Sequence, residues 1–212
     1  MSQYHKIQTV FKRDPDNKFK TLLIGEYSLP EFEYLKHNKW VFTEKVNGTN
    51  IRIMFDGGTD SPILFGGKSD NSQIPALLVA MLNEKFLPLQ SQFAVSFPDG
   101  VCLYGEGYGA KIEKEGGNYR QDQGFVLFDV KVGDWWLQRE SVEDIALNFE
   151  VDTVPIIGTG SLQDMVDFVK PGFVSRWGNF NAEGIVARPV TELRTRSGDR
   201  IITKIKTRDF AI

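Results

Sequence analysis

Short runs rich in β-branched and aromatic residues recur along the chain, many bounded by glycine, proline, asparagine or aspartate. They predict strands over Lys6 to Phe11, Trp40 to Lys45, Asn50 to Phe55, Ile63 to Gly66, Val101 to Tyr108, Phe125 to Val132, Ile185 to Arg188 and Arg200 to Lys206. Three segments carry a helical period instead. Pro75 to Phe86 starts with proline and sets Leu78, Met81 and Leu82 on one face, while Ser141 to Phe149 and Ser161 to Val169 begin with serine caps and acidic first turns. Strands outnumber helices and do not alternate strictly with them, which predicts an α+β fold with largely antiparallel sheets. The Asn47-Gly48 pair, lying between two predicted strands, is the strongest short signal for a hairpin.

No repeat, low-complexity segment or proline- and serine-rich linker interrupts this pattern, so the 212 residues read as one domain, residues 1 to 212. A chain of this size can bury about 70% of its extended surface, enough for a sizeable core. Hydrophobic residues at 41% and charged residues at 25% exclude disordered, collagen-like and coiled-coil chains. No apolar run reaches the roughly 18 residues of a membrane span, and Met1 to Val10 lacks the plan of a signal peptide, so no membrane partner and a cytoplasmic location are expected. Cys102 is the lone cysteine and suits a reducing compartment.

The net charge of -3 does not draw the chain to nucleic acid, so any polyanion site must be local. Arg188, Arg194, Arg196, Arg200, Lys204, Lys206 and Arg208 form one basic patch, opposed by Glu192 and Asp199; its plainest explanation is a solvated strand pair. Charged residues set into apolar strands change that picture. Lys45 stands beside Val46-Asn47-Gly48. Glu106 lies between two glycines in Tyr104-Gly105-Glu106-Gly107, an arrangement that leaves room for a ligand or backbone to approach, or that marks a bulged edge strand. Asp129 follows the apolar run Phe125-Val126-Leu127-Phe128 and, if buried, needs a partner. Glu183 opens Gly184-Ile185-Val186-Ala187, and Lys204-Ile205-Lys206 puts two ammonium groups on one face of a strand.

Taken in order, these segments resemble the motifs of the covalent nucleotidyltransferases, the superfamily of ATP-dependent RNA and DNA ligases and capping enzymes, and above all RNA ligases of the phage and RNA-editing type. Lys45-Val46-Asn47-Gly48 looks like the nucleophile motif and Gly67-Lys68-Ser69-Asp70 the short element after it. Tyr104-Gly105-Glu106-Gly107 is similar to the third motif, Phe128-Asp129 to the aromatic-acid element, Glu183-Gly184-Ile185-Val186 to the fourth and Lys204-Ile205-Lys206 to the fifth. The resemblance implies antiparallel sheets packed around a nucleotide cleft with flanking helices. It implies an enzyme that forms a lysyl-AMP intermediate from ATP with Mg²⁺ or Mn²⁺, transfers AMP to a 5′-phosphate RNA end and seals it to a 3′-hydroxyl. A phage gene is one source this suggests.

In that reading Lys45 is the nucleophile, which must attack as a neutral amine. Lys204, Lys206 and a divalent metal held by Glu183 would neutralise phosphate and favour that neutral amine. Glu106 would hydrogen-bond the ribose, Phe128 would stack on adenine beside Asp129, Glu44 would help read the base, and Lys68 would contact phosphate. Asn47 and Gly48 complete the nucleotide-binding set. Two residues depart from the pattern: Asn47 stands where relatives often carry aspartate or histidine, and Lys68 replaces an arginine and so lacks its bidentate fork. The chain also ends six residues after Lys206, so the OB-fold or helical C-terminal domain of larger relatives is expected to be absent, its role falling to a protein partner. The alternatives are a capping-type guanylyltransferase and a non-catalytic RNA-end binding module; the acidic pI of about 5.5 counts against a general RNA binder.

Overall fold

A computed structural model describes residues 3–210, which fold as α+β with largely antiparallel sheets. They group into two compact units, each woven from separate stretches of chain. One holds residues 3–5 with Asn47–Val154, the other Lys6–Val46 with residues 155–210.

The second of these units is built on a five-stranded sheet in the order Gln8–Thr9, Thr203–Lys206, Gly184–Pro189, Trp40–Glu44, Ile156–Gly160. Its first pair is parallel and the others antiparallel. Trp40, Phe42, Ile185, Ala187 and Ile205 share one face of the sheet and pack with Leu162, Met165, Val166 and Val169 of the helix Leu162–Val169 in one core. Ser161 caps that helix as the pattern predicts: its side chain accepts the Asp164 N–H, and the Asp164 carboxylate accepts the Ser161 N–H in return. A hairpin of Phe11–Arg13 and Leu22–Tyr27 completes the unit together with a short helix, Pro30–Tyr34.

The other unit has a sheet in the order Asp152–Thr153, Gln123–Val132, Val101–Gly109, Thr49–Phe55, Leu64–Gly66, with Trp135–Trp136 added beside Gln123–Val132. Ile51, Ile53, Phe55, Leu103, Phe125 and Leu127 face a core closed by the helices Ala76–Phe86, Gln90–Ser96 and Arg139–Asn148. Two expectations change here. The helix expected from Ser141 starts at Arg139 with Gln138 as its cap, so Ser141 lies inside it. Asn47-Gly48 does not turn a hairpin, because Trp40–Glu44 and Thr49–Phe55 belong to different sheets. Glycine is required at 48 for another reason: a Cβ there would lie 2.2 Å from the Gly107 carbonyl oxygen.

Candidate active site

Register places the fifth-motif lysines where the alternation predicts. Val186 pairs with both Lys204 and Thr43, and Gly184 with Lys206, while Ile205, Ile185 and Glu44 form the next cross-strand row. Lys204 and Lys206 are half-buried and flank the buried Ile205, so they lie on the sheet face opposite the core. The Lys45 N–H donates to the Gly184 carbonyl at 2.9 Å, which carries the pairing one residue beyond Trp40–Glu44. Gly184 must be glycine, since a Cβ would sit 2.1 Å from the Ile205 oxygen. This close approach brings three charges together. Lys45 Nζ lies 2.6 Å from one oxygen of Glu183, and Lys206 Nζ 2.6 Å from the other. The three side chains are only 20%, 11% and 16% exposed for Lys45, Glu183 and Lys206, so water screens them weakly.

Glu44 is 1% exposed, and both of its oxygens are engaged within the same unit. Ser175 Oγ donates to one at 2.5 Å and the Arg176 N–H to the other at 2.8 Å, while the Trp177 N–H donates to Ser175 Oγ. Glu44 thus anchors the 175–177 turn beside Lys45. Asp209 is a second organiser, and motif reading missed it. Its buried carboxylate accepts the Lys206 N–H at 2.9 Å and Arg13 Nη2 at 2.9 Å, while the Thr207 N–H and Oγ1 donate to the Glu183 and Ala182 carbonyls. An acid three residues after Lys206 was its only sequence signal. Within the basic patch, Arg200 is buried and gripped by both oxygens of Glu192, so it serves structure.

The remaining expected residues lie in the other unit. Glu106 pairs in register with Asn50 and Val126 on a central strand, not an edge. Its flanking glycines serve the opposite face: a Cβ at 105 would strike the Phe125 ring and one at 107 the Leu78 side chain, each at 2.3 Å. The room they leave is therefore filled by core. Opposite Gly105 the pairing skips from Leu127 to Asp129, so Phe128 is the extra residue of a β-bulge. Asp129 is fully buried, and the partner it needs is supplied by Tyr4, whose hydroxyl donates to it at 2.5 Å. The Tyr4 ring also packs on Phe128, Tyr104 and Trp136 at centroid distances of 5.1, 5.2 and 5.6 Å. A tyrosine so near the start of the chain carried no local signal.

Lys68 is exposed, directly after Gly67, whose carbonyl accepts Arg52 Nε at 2.8 Å. Arg52 is buried, and it also donates to Asp70 at 2.7 Å. That bond, with a second from Gln3, holds the Asp70 carboxyl below the ordinary carboxylate range. The Asn47 N–H donates to the Tyr119 hydroxyl at 3.1 Å, and the Gly48 backbone lies against Glu106 and Gly107.

Among the described residues no group of three or more histidine, cysteine or acidic side chains could hold a metal. Glu183 offers a single carboxylate, a hard oxygen donor of the type Mg²⁺ takes, but both of its oxygens are engaged by Lys45 and Lys206.

A family profile for RNA ligase matches residues 38–206. Solved structures of an RNA ligase from Naegleria gruberi share the fold. A variant with ATP and Mn aligns at a TM-score of 0.67 and 17% identity over 97% of this chain and 56% of that one. The same ligase with PPi aligns at 0.63 and 18%, over 97% and 58%, and a variant with AMP and Mn at 0.62 and 16%, over 97% and 58%. This chain therefore spans a little over half the length of those proteins. A comparison with curated proteins finds no significant match.

Proposed function

As the chain belongs to the RNA ligase family, we propose that it is an ATP-dependent RNA ligase with Lys45 as the nucleophile. The observation that carries this reading is the grouping of Lys45, Glu183 and Lys206 about one carboxylate. A lysine beside an acid is a common surface pair; one carboxylate shared by two poorly exposed ammonium groups is suited to phosphoryl-type transfer, where positioning and charge stabilisation dominate.

In the first step Lys45 Nζ forms a bond to the α-phosphorus of ATP, and the bond from that phosphorus to pyrophosphate breaks. Glu183 is the nearest acceptor for the proton that Lys45 gives up. Lys206, once Glu183 turns to other partners, offers its ammonium to phosphate oxygen. A divalent cation held through Glu183 would add Lewis-acid stabilisation of phosphate charge. Glu44 works through the 175–177 turn, and Asp209 holds the Lys206 backbone. In the other unit, Glu106 is assigned to ribose, Phe128 to adenine and Lys68 to phosphate, with Lys204 on the same sheet face as Lys206. An oxygen of the RNA 5′-phosphate then attacks the phosphorus of lysyl-AMP and frees Lys45. Last, a 3′-hydroxyl attacks the activated 5′-phosphate and AMP departs.

The test is a mass spectrum of the intact protein after incubation with ATP or GTP and Mg²⁺. Wild type should gain an AMP-sized adduct from ATP alone that pyrophosphate removes, and Lys45→Ala should gain none. An adduct on Lys45→Ala places the nucleophile elsewhere; an adduct from GTP alone makes the chain a guanylyltransferase. Lys45→Ala should still join preadenylylated RNA ends, because the lysine has no further bond to make once AMP is on RNA.

A further inference from the structure

Thirteen large hydrophobic side chains are well exposed among the described residues, and singly such residues need no explanation. Phe19 differs from the rest: it is 61% exposed and its φ is +60°, a backbone conformation that bulky side chains rarely adopt. Its neighbour Lys18 is at +51°. The Lys20 N–H donates to the Asn17 carbonyl at 3.0 Å, so Asn17–Lys20 is a β-turn with positive φ at both central residues. Stability alone would put Asn-Gly at those positions. This turn instead holds, at a cost in strain, an aromatic ring in the loop that joins Phe11–Arg13 to Leu22–Tyr27, where the Phe19 N–H donates back to the Asp14 carbonyl at 2.8 Å.

The chemistry around the ring points to its partner. Lys18 and Lys20 flank it, both exposed, and neither pairs with a carboxylate among the described residues. The nearest acids in sequence are Asp14, whose carboxylate accepts the Asp16 N–H at 2.9 Å, and Asp16, whose exposed carboxylate lies within 4 Å of neither lysine ammonium. An exposed ring between two unpaired ammonium groups matches a base with a phosphate on either side, whereas a protein partner would call for a wider apolar surface. The turn is also tied to the reactive strand. Arg13 donates to the Phe19 and Lys20 carbonyls at 3.3 and 3.5 Å, and its guanidinium binds Asp209, which holds the Lys206 N–H.

We propose that the Asn17–Lys20 turn is an RNA-binding finger, with Phe19 stacking on an unpaired base while Lys18 and Lys20 take the adjoining phosphates. This deepens the ligase reading and rests on it for the choice of substrate.

The test is fluorescence anisotropy with a short labelled single-stranded RNA bearing a 5′-phosphate, and with a blunt duplex of the same sequence. Phe19→Ala should weaken single-strand binding about tenfold, the scale of one stacked base, and barely change duplex binding. Phe19→Trp should restore it. Lys18→Asn/Phe19→Gly, which suits the turn, should raise the thermal midpoint yet bind the single strand at least as weakly as Phe19→Ala. Equal single-strand affinity of wild type and Phe19→Ala, or a loss that Phe19→Trp does not reverse, overturns the proposal. Lysyl-AMP formation by wild type needs no RNA: if it is absent the ligase reading fails, while the anisotropy still reads the finger by itself.

Discussion

Replacing Glu183 by glutamine keeps the shape of the side chain and removes its charge, leaving Lys45 and Lys206 to face one another. Each ammonium lies 2.6 Å from one oxygen of the same carboxylate. The two therefore stand no more than about 7.5 Å apart, and at an effective dielectric of about 20 they repel by about 2 kcal/mol. Glu183→Gln should therefore cost about 2 kcal/mol or more, and about 2 to 4 °C in midpoint for each kcal/mol in a chain of this size. Lys206→Met alone removes an attraction and should destabilise. In the Glu183→Gln background it removes a repulsion and should stabilise. Urea denaturation of the four proteins at pH 7 measures the coupling directly as a double-mutant cycle. The coupling should exceed about 2 kcal/mol at low salt and shrink only in part at high salt, because the groups are poorly exposed. If Lys206→Met has the same effect in both backgrounds, the three charges are not coupled and the argument for a shared carboxylate collapses.

Other consequences are simpler to read. Tyr4→Phe removes a hydrogen bond to the buried Asp129 and should cost about 1 to 3 kcal/mol in urea denaturation; a neutral result would mean that the hydroxyl is dispensable to that carboxylate. Gly184→Ala drives a methyl group into the Ile205 carbonyl and should lower the thermal midpoint by several degrees even though alanine is the better strand residue, while an unchanged midpoint would deny the close approach. The Asp164 carboxyl is held below its ordinary value by the Ser161 hydroxyl and then the Ser161 N–H. Its contribution is thus complete above the unfolded value and lost as pH falls through the lower folded one. Asp164→Asn should accordingly show a shallower fall in midpoint than wild type between about pH 5 and about pH 2.5, and parallel acid limbs would refute the cap.

Much of this was legible because it depends on local chemistry. The alternation in Lys204-Ile205-Lys206 put both lysines on one face without any knowledge of the neighbouring strand, and Ser161 with Asp164 announced its own helix. Its place after an apolar run marked Asp129 as needing a partner, and Glu183 stood out as an acid opening an apolar strand. What stayed hidden depends on where distant segments meet. The partners of Asp129 and Lys206, Tyr4 and Asp209, come from opposite ends of the chain. The glycines around Glu106 were visible, but only the pairing shows that they make room for Phe125 and Leu78. Asn47-Gly48 misled for the same reason: the Gly48 backbone fits against Gly107, a contact that a turn preference cannot express. The Asn17–Lys20 turn was missed because Lys-Phe is nearly the opposite of what its backbone favours.

The tail of the second unit bears on how small a working fragment can be. The family match stops at Lys206, and a designer trimming the chain to its motifs would cut there. Thr207 and Asp209 lie beyond that cut, yet they latch Ala182 and Glu183 on one side and Lys206 and Arg13 on the other. Removing them would leave every motif residue in place but release the backbone on both sides of the shared carboxylate. The minimal unit is therefore bounded by a three-residue clasp outside the motifs, and a fusion or tag belongs after Phe210.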